Sequence, residues 1–585
     1  MKRTLLSLSL IFSGSLFLFG QSSDAAFLEK AKPDLIADFQ KGKNEFWIVL
    51  NEQADVSGAK YLTTKDEKGE YVFNKLTETA TRTQKKFLPL LNSKAESFQQ
   101  FWIANAIYIV GDIELAKELA AFKEVKELLP NPKMRMITPV EMIPEQPAKK
   151  DNTLVAIEWG VSKINAPQVW AMGYKGQGVV IGGQDTGIEW DHICIQEQYR
   201  GWNGVSADHN YNWHDAIHTG GGGSCGVNSM KPCDDHNHGT HTIGTIVGDD
   251  LVGNQIGIAP QAKWMGARNM NVGVGTPATY IECFQWFLAP TNLANQSPQP
   301  SKAPHVINNS WGCDATEGCN SSNWPTMETA VNNLRAAGVV VVASAGNDGP
   351  NCNTIDGPPA FYDGSFTVGA TNSSDAIVGF SSRGNVSADG SGRIKPDVSA
   401  PGYQVRSCIK NGGFATYSGT SMAGPHVVGA VALLISAVPS LAGQVDTIES
   451  ILEKTAVKIT SSQTCNGTAP ATYPNNTVGY GRVNVLAAVN YALTTVAVQE
   501  QHGTAKGVTV FPTPAHDKLF FRFENFRDME AEVQLLSTTG QVVSAQKVHT
   551  QNSALELAID GLPKGFYMYS IRTGGTSFQG KFVKE

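Results

Sequence analysis

The stretch Tyr417-Ser-Gly-Thr-Ser-Met-Ala-Gly-Pro-His-Val-Val-Gly-Ala430 decides the fold. Glycine and small hydroxyl residues come first, and small and apolar residues follow from Ala423 to Ile435. This order predicts a tight turn that leads into a buried helix, with Ser421 near the helix start. The unpaired N–H groups of a helix N-terminus favour an oxygen that gains negative charge. Taken alone, however, the stretch also fits a turn that caps an ordinary core helix.

The composition describes a globular protein of several domains. The chain has 585 residues, of which 41% are hydrophobic and 17% charged. A chain of this length is too long for a single core. The net charge of −7 gives no indication of binding to nucleic acid or to an anionic membrane.

The first twenty residues have the layout of a secretory signal. Met1-Lys-Arg3 carries two positive charges, a mostly apolar run extends from Leu5 to Phe19, and small and polar residues follow. The apolar run is too short for a comfortable membrane span. We therefore expect an exported protein that is soluble once the signal, residues 1–20, is removed.

Residues 21–150 predict a small α+β unit in front of the main domain. Strand and helix patterns alternate, which suggests one sheet covered by two helices. The predicted elements are the strands Phe46–Leu50, Phe101–Val110 and Lys133–Thr138 and the helices Lys75–Leu91 and Ile113–Phe122. Two prolines and Lys149-Lys150 then form an exposed linker, which is a plausible processing site.

Residues 151–496 have the pattern of an α/β domain with a doubly wound, mostly parallel sheet. Continuous apolar runs at Val179–Ile181, His305–Ile307 and Gly338–Ala343 predict buried strands, and Met327–Ala337 predicts a helix between two of them. In such a sheet the ligand site lies at the carboxyl ends of the strands.

Residues 508–585 predict a small antiparallel β-sandwich, which a polar linker, residues 497–507, separates from the main domain. Apolar and polar residues alternate in short runs separated by glycine-containing turns. The predicted strands are Leu519–Phe523, Glu532–Leu536, Leu555–Ile559, Phe566–Ile571 and Phe578–Val583.

Three further motifs supply the groups that a serine nucleophile needs. Asp185 follows a buried strand, and His238 opens a helix of small residues. A histidine suits general-base chemistry near neutral pH, and an aspartate on its other ring nitrogen would fix the tautomer. Asn347 follows the strongest buried strand, and its amide can donate to an oxyanion together with the Ser421 N–H. Each motif alone also fits an ordinary turn or helix start.

Together the four motifs resemble those of the subtilisin-like (subtilase) serine peptidases. Asp-Thr-Gly at 185–187, His-Gly-Thr-His at 238–241, Ala-Gly-Asn at 345–347 and Gly-Thr-Ser-Met-Ala at 419–423 occur in the order of that family. The resemblance extends over residues 152–493 and is closest to the bacillopeptidase F-like branch. It implies an endopeptidase with Asp185, His238 and Ser421 as the triad and Asn347 in the oxyanion hole.

The same resemblance implies further roles. Ser310, Trp311 and Gly312 would line the substrate cleft and pair with the peptide as an added strand. The bulk of Trp311 is expected to narrow a subsite. The N-terminal unit would act as a propeptide that assists folding and inhibits the enzyme. The C-terminal sandwich resembles a type IX secretion sorting domain, so secretion machinery is an expected partner and the product is expected outside the cell or on its surface.

The nine cysteines agree with an oxidising destination. Cys225 and Cys233 flank a short loop, as do Cys313 and Cys319, and we predict a disulfide for each pair. An odd number leaves at least one thiol free or bonded outside the chain. The remaining partners stay open: Cys194, Cys283, Cys352, Cys408 and Cys465.

A polar cluster before the histidine motif invites a metal-site interpretation, but it has no established ligand spacing. We interpret it as a solvated loop; its members are Asp208, His209, His214, Asp215 and His218. His241 is expected to be a structural helix residue. No cofactor is expected for catalysis, and no metal ligand is assigned. The resemblance allows a structural calcium ion. Asp191 could contribute to such a site, but its match to the family's calcium ligands is too weak for an assignment.

Two other functions remain as alternatives. One is a catalytically silent surface adhesin that uses the subtilase fold as a scaffold, although such a scaffold needs none of the four chemical groups. The other is a glycan-binding protein, in which residues 508–585 alone would bind polysaccharide.

Overall fold

The computed structural model describes residues 24–145, 156–501 and 508–585 apart from short internal gaps. The predicted signal and Lys149-Lys150 lie outside the described residues. The chain forms two compact units, one ending at Val489 and one comprising Asn490–Glu585. The gaps are residues 221–222, 252, 314–316, 322, 468, 470, 524–529, 538–540, 550–553 and 574–575.

The N-terminal part of the first unit is a four-stranded antiparallel sheet with helices, so its α+β class is as predicted, but it has more than the two expected helices. In spatial order its strands are Ser97–Phe101, Ala106–Val110, Glu45–Leu50 and Val125–Pro130. Its helices are Pro33–Gln40, Lys65–Gln84, Leu88–Lys94 and Ile113–Ala120.

Three predicted elements of this part differ from the structure. The expected strand 101–110 is a hairpin whose turn, residues 102–105, ends at Asn105 with a φ of 39°. The expected helix 75–91 begins at Lys65, because Thr64 and Glu67 form a capping box, and a second helix takes its last residues. Of the expected strand 133–138 only Met134–Arg135 is a strand.

The main domain contains a seven-stranded sheet in which all neighbouring strands are parallel. This confirms the predicted α/β class. The strands, in spatial order, are Val398–Pro401, Phe366–Thr371, Val340–Ser344, Val306–Asn309, Val180–Asp185, Lys263–Arg268 and Trp213–Asp215. The chain enters at Val180–Asp185 and later continues on both sides of it, which is the switch point where α/β sheets bind ligands.

Two adjacent glycines let helices approach both faces of the central strand. A Cβ at Gly182 would lie 2.6 Å from the Phe287 ring, and a Cβ at Gly183 would lie 2.6 Å from Ile243. Phe287 belongs to the helix Pro277–Leu288, and Ile243 to the helix that carries His238. Because successive side chains point to opposite faces, this pair gives the sheet a closely packed helix on each side.

Among the described residues, eight further α-helices follow the N-terminal part, and the last of them runs across the boundary at Val489. They are Trp159–Lys163, Ala166–Ala171, His238–Val247, Pro277–Leu288, Trp324–Ala336, Thr420–Ala437, Val445–Lys454 and Val485–Gln501. The helix Thr420–Ala437 is long and apolar enough to cross a membrane, but 89% of it is buried inside the protein, as expected of a core helix. The helix that ends at Gln501 extends into the expected linker 497–507.

The N-terminal part and the main domain share one hydrophobic core. Trp47 and Leu76 belong to the same buried cluster as Phe284 and Leu334 of the helices Pro277–Leu288 and Trp324–Ala336. Two polar side chains of those helices bind the hairpin turn: Gln285 Oε1 accepts from Trp102 N at 2.8 Å and from Ile103 N at 3.2 Å, and Asn333 Nδ2 donates to Ile103 O at 2.6 Å.

The second unit contains two antiparallel sheets around their own core, which confirms the predicted β-sandwich. One sheet has the order Val508–Phe511, Lys518–Phe523, Ala554–Ala558. The other has the order Val542–His549, Glu530–Ser537, Gly565–Thr573, Thr576–Lys584. Alternate residues such as Phe521, Tyr569 and Phe582 point into a buried cluster.

Candidate active site

Asp185 and His238 meet where the central strand ends and the next helix on one face begins. Asp185 is the last residue of Val180–Asp185, and His238 is the first residue of His238–Val247. His238 Nδ1 lies 2.8 Å from one carboxylate oxygen of Asp185 and 2.9 Å from the other, and both side chains are buried. In this geometry Nδ1–H donates to Asp185, which leaves the lone pair of Nε2 available as a base.

Ser421 is the second residue of the helix Thr420–Ala437, as the sequence predicts. Its Oγ lies 3.3 Å from the carbonyl oxygen of Ile137 and 3.4 Å from that of Ser310, and these two acceptors share its single proton. His238 Nε2 is buried and has no hydrogen-bond partner among the described residues. The helices that carry Ser421 and His238 pack against each other, but Ser421 Oγ is bonded to these carbonyls and not to His238.

Asn347 lies in the loop after the strand Val340–Ser344, with its amide oriented by the nucleophile helix. Its Oδ1 accepts from Thr420 N at 2.9 Å and from Thr420 Oγ1 at 3.0 Å. Its Nδ2 consequently points to the cleft, where it donates to the carbonyl of Thr138 at 3.0 Å. An amide held in this way is a preorganised donor for an oxyanion.

The cleft is filled by the end of the N-terminal part. Met134–Arg135 pairs antiparallel with Val274–Gly275, and Met136 N donates to Gly273 O at 2.8 Å. On its other edge, Met136 forms an antiparallel bridge with Trp311. The segment therefore lies between two strands as an added strand, which is the predicted mode of substrate binding.

The segment continues past the nucleophile onto a third strand. Val140 N donates to Ser418 O at 2.8 Å, and Glu141–Pro144 pairs antiparallel with Gly413–Ser418. Because Ser418 lies three residues before Ser421, the segment passes beside the candidate nucleophile.

The segment presents two carbonyls to the site. The carbonyl oxygen of Ile137 lies 3.3 Å from Ser421 Oγ, and the carbonyl of Thr138 accepts from Asn347 Nδ2 at 3.0 Å. Because an oxyanion donor binds the oxygen of the bond that is cut, Asn347 places the bond Thr138–Pro139 at the candidate site. This bond lacks the ordinary N–H of a leaving amine.

The three expected cleft residues lie beside this segment. Ser310 accepts from Ser421 Oγ, and Gly312 lies beside Ile137, whose side chain would be 3.4 Å from a Cβ at that position. The Trp311 ring is fully buried and stacks on Tyr280 with ring centroids 3.8 Å apart. The indole therefore supports the cleft wall from the core side, and the expected narrowing of a subsite is not what the structure shows.

The interpretation of the polar cluster as a solvated loop is wrong for its central members. His214 and Asp215 are buried, and Asp215 accepts from the fully buried Arg268 at 3.2 Å. Arg268 also pairs with Asp235, whose other oxygen accepts from Val272 N at 2.9 Å, next to the cleft strand. This ion-pair network, which the sequence pattern did not reveal, links the loop before His238 to the substrate edge.

Glu282 joins two histidines of the same cluster. It accepts from His214 Nε2 at 2.8 Å and from His218 Nε2 at 2.9 Å. Burial alone would raise the pKa of Glu282, but the hydrogen bonds from the two histidines outweigh it and lower that pKa to about 2. The hydrogen bond to Glu282 raises the pKa of His218 to about 9, against the effect of burial. Asp208 and His209 lie outside this group: His209 bonds to the Tyr199 hydroxyl at 2.9 Å.

His241 is structural, as expected. It is fully buried, its Nε2 lies 3.1 Å from Ala415 O, and its ring stacks on Tyr417. Burial lowers the pKa of His241 to about 3, so the ring is uncharged near neutral pH.

The two predicted disulfides are present, and a third was not predicted. Cys225–Cys233 and Cys313–Cys319 close short loops. Cys352–Cys465 joins residues 113 positions apart, a pairing that sequence spacing cannot assign. The other three cysteines, Cys194, Cys283 and Cys408, are free and buried.

An Asp–His pair, a serine at a helix start and an oriented amide lie at one edge of a parallel α/β sheet. These features define a site of the serine-hydrolase type. Comparison with known proteins agrees. The model of the subtilase family matches residues 176–481, and the model of a secretion system C-terminal sorting domain matches residues 509–585. The chain belongs to the subtilase family, and its sorting domain indicates export to the cell surface or beyond.

Several characterised relatives show the extent of the similarity. Bacillopeptidase F of Bacillus subtilis (strain 168) is 36% identical over 460 residues, which cover 76% of this chain and 30% of that protein. Subtilisin E of the same strain is 29% identical over 371 residues, 63% of this chain and 78% of that protein. Subtilisin DY of Bacillus licheniformis is 31% identical over 309 residues, 52% of this chain and 93% of that protein.

Proposed function

We propose that this chain is an exported serine endopeptidase that cuts proteins through an acyl-enzyme intermediate. The observation that carries the proposal is that Ser421 and Asn347 both bind one segment of extended polypeptide, while Asp185 holds His238 on the helix packed against that of Ser421. Family membership supports the reaction class, and the sorting domain supports secretion machinery as a partner.

In the proposed cycle, Ser421 Oγ turns from its present acceptors towards His238 Nε2 when a substrate replaces the bound segment. His238 takes the hydroxyl proton as Ser421 attacks the substrate carbonyl, and Asp185 stabilises the imidazolium that forms. Asn347 Nδ2 and the Ser421 N–H stabilise the negative charge on the carbonyl oxygen. His238 then protonates the leaving amine, and water releases the acyl group. These steps use only groups of the chain itself.

The N-terminal part is proposed to inhibit the enzyme until it is removed. Its segment Met134–Pro144 occupies the cleft on both sides of the nucleophile, and its sheet shares a core with the main domain. The Thr138–Pro139 bond, whose carbonyl Asn347 binds, is a poor substrate because proline lacks an N–H and has a fixed φ. We therefore place the self-processing cut after this segment, in the linker that includes Lys149-Lys150.

The test compares the precursor with its Ser421→Ala variant, following casein hydrolysis and the size of each chain. Wild type should shorten and cleave casein, whereas the variant should stay full-length and lose activity by about a million-fold, the loss that removal of this group causes in subtilisin. The proposal fails if the two proteins cleave and shorten alike.

A further inference from the structure

The strand Gly413–Ser418, which leads into the nucleophile, is covered on one edge by the cleft-filling segment. Four residue pairs join it to Glu141–Pro144, from Ser418 opposite Glu141 to Ala415 opposite Pro144. The pairing continues outward, because Glu145 N donates to Phe414 O at 3.1 Å. A polypeptide on this edge is therefore held by main-chain bonds well beyond the catalytic groups.

Most side chains of the covering segment make little contact with the strand edge. Met142 and Ile143 are each 47% exposed, so the edge tolerates many residues at these positions. The two glutamates differ: Glu141 Oε2 accepts from Ser418 Oγ at 3.0 Å, and Glu145 Oε1 accepts from Arg406 Nε. Carboxylates are thus the side chains that this edge binds.

Arg406 is held in place by residues that stay when the segment leaves. Its guanidinium lies over the Phe414 ring, 4.5 Å from the centroid, and its Nη1 donates to Glu158 at 3.3 Å. Glu158 thereby binds one end of the fork, while Nε faces the covering segment. An arginine fork already oriented in this way loses little side-chain entropy when a further carboxylate binds.

We propose that, after the segment leaves, the edge of Gly413–Ser418 binds the part of a protein substrate that follows the bond to be cut, and that Arg406 selects an acidic residue there. The site rests on the proposed peptidase function and adds a distant specificity element to it. Main-chain pairing supplies the binding, and the guanidinium supplies the preference.

The structure fixes where the acidic residue should lie. Asn347 binds the carbonyl of Thr138, so we count residues from the bond Thr138–Pro139. Val140 is the second residue after this bond, and Glu145 is the seventh. Val140 N donates to Ser418 O, and this bond fixes the position of the second residue on the strand Gly413–Ser418. A substrate in this register presents its seventh residue to Arg406.

The test uses the matured enzyme and a library of tetrapeptide p-nitroanilides, which contain no residue after the bond that is cut. The tetrapeptide that is cleaved fastest then becomes the first half of two internally quenched peptides. The second halves of the two peptides are identical except at the seventh position, which is glutamate in one peptide and glutamine in the other. Cleavage sites are verified by mass spectrometry, and each peptide rate is divided by the p-nitroanilide rate of the same protein.

Wild type should cut the glutamate peptide about five-fold faster in kcat/KM than the glutamine peptide at low salt, as expected for a partly exposed charge pair. In 0.5 M NaCl this ratio should fall towards one. Arg406→Gln should abolish the ratio. Arg335→Gln is the matched control, because its guanidinium is exposed to nearly the same degree, 24% against 23%, but pairs with Asp446 and Glu449.

Equal wild-type rates for the two peptides overturn the proposal, as does a ratio that Arg406→Gln leaves unchanged. If Arg406→Gln does not mature, the wild-type ratio and its loss in salt decide the question. A wild-type protein that cleaves neither the p-nitroanilides nor casein, like Ser421→Ala, would instead refute the peptidase function itself, so the two failures are distinguishable.

Discussion

The partly buried bond between Glu282 and His218 should make the stability of the protein depend on pH in a defined direction. The perturbation is Glu282→Gln in the Ser421→Ala precursor, in which self-digestion does not interfere. The pKa of His218 is raised from 6.5 to about 9. Such a difference corresponds to about 3.4 kcal/mol. Because the side chain is 38% exposed, solvent screening reduces the expected contribution to about 2 kcal/mol.

Because the folded state raises the pKa of His218, the protonated side chain stabilises that state. This contribution to the free energy of unfolding is complete below pH 6.5 and is lost as the pH rises through about 9. The lowered pKa of Glu282 describes the same interaction from the other side; its contribution is present above pH 4.5 and is lost only as the pH falls towards 2, so the two are not added. The variant should therefore be about 2 kcal/mol less stable than its parent at pH 6, and the difference should shrink markedly by pH 10.

The measurement is urea unfolding followed by tryptophan fluorescence at both pH values. Glu328→Gln, on the neighbouring helix Trp324–Ala336, is the control, and its effect should be the same at pH 6 and pH 10. An effect of Glu282→Gln that is constant or grows between these pH values would refute the reasoning.

Three more outcomes are expected. Asn347→Ala should lower kcat by about a hundred- to a thousand-fold with little change in KM, measured on a p-nitroanilide, because the amide acts on the transition state. Replacing Cys352 and Cys465 together by serine should cost about 2–4 kcal/mol in urea unfolding, because their disulfide closes a loop of 113 residues; an unchanged midpoint would contradict this. Phe521→Ala should make residues 508–585 sensitive to limited proteolysis, because the ring is fully buried, while p-nitroanilide hydrolysis stays at the wild-type rate.

The sheet and the positions of the candidate site residues were predictable because their signals are local. Fully buried parallel strands are continuous apolar runs, and Val340–Ser344 with its neighbours has this pattern. Asp185 and Asn347 lie at or after the end of a buried strand, and His238 begins a helix. Each of these strands and helices can be predicted from its own residues. The convergence of the two strand ends follows from the rule that the carboxyl ends of parallel strands share one edge.

The parts that could not be predicted depend on distant partners. His214 and Asp215 have a polar pattern typical of a loop, and only Glu282 and Arg268, more than fifty positions later, make them buried residues. The stretch after Lys133 has an apolar pattern that predicts extended chain, but no local signal states which strands it pairs with. Asn105 turns an expected single strand into a hairpin, an outcome that depends on one backbone angle.

The proline at position 139 implies that the inhibition proposed for the N-terminal part depends on one residue. Met136, which binds Gly273, and Val140, which binds Ser418, hold the bond after Thr138 in place, and Asn347 binds its carbonyl. Proline supplies no N–H to that bond and has a fixed φ, and alanine would remove both features. Replacing Pro139 with alanine should therefore turn the inhibiting segment into a substrate of the same protein.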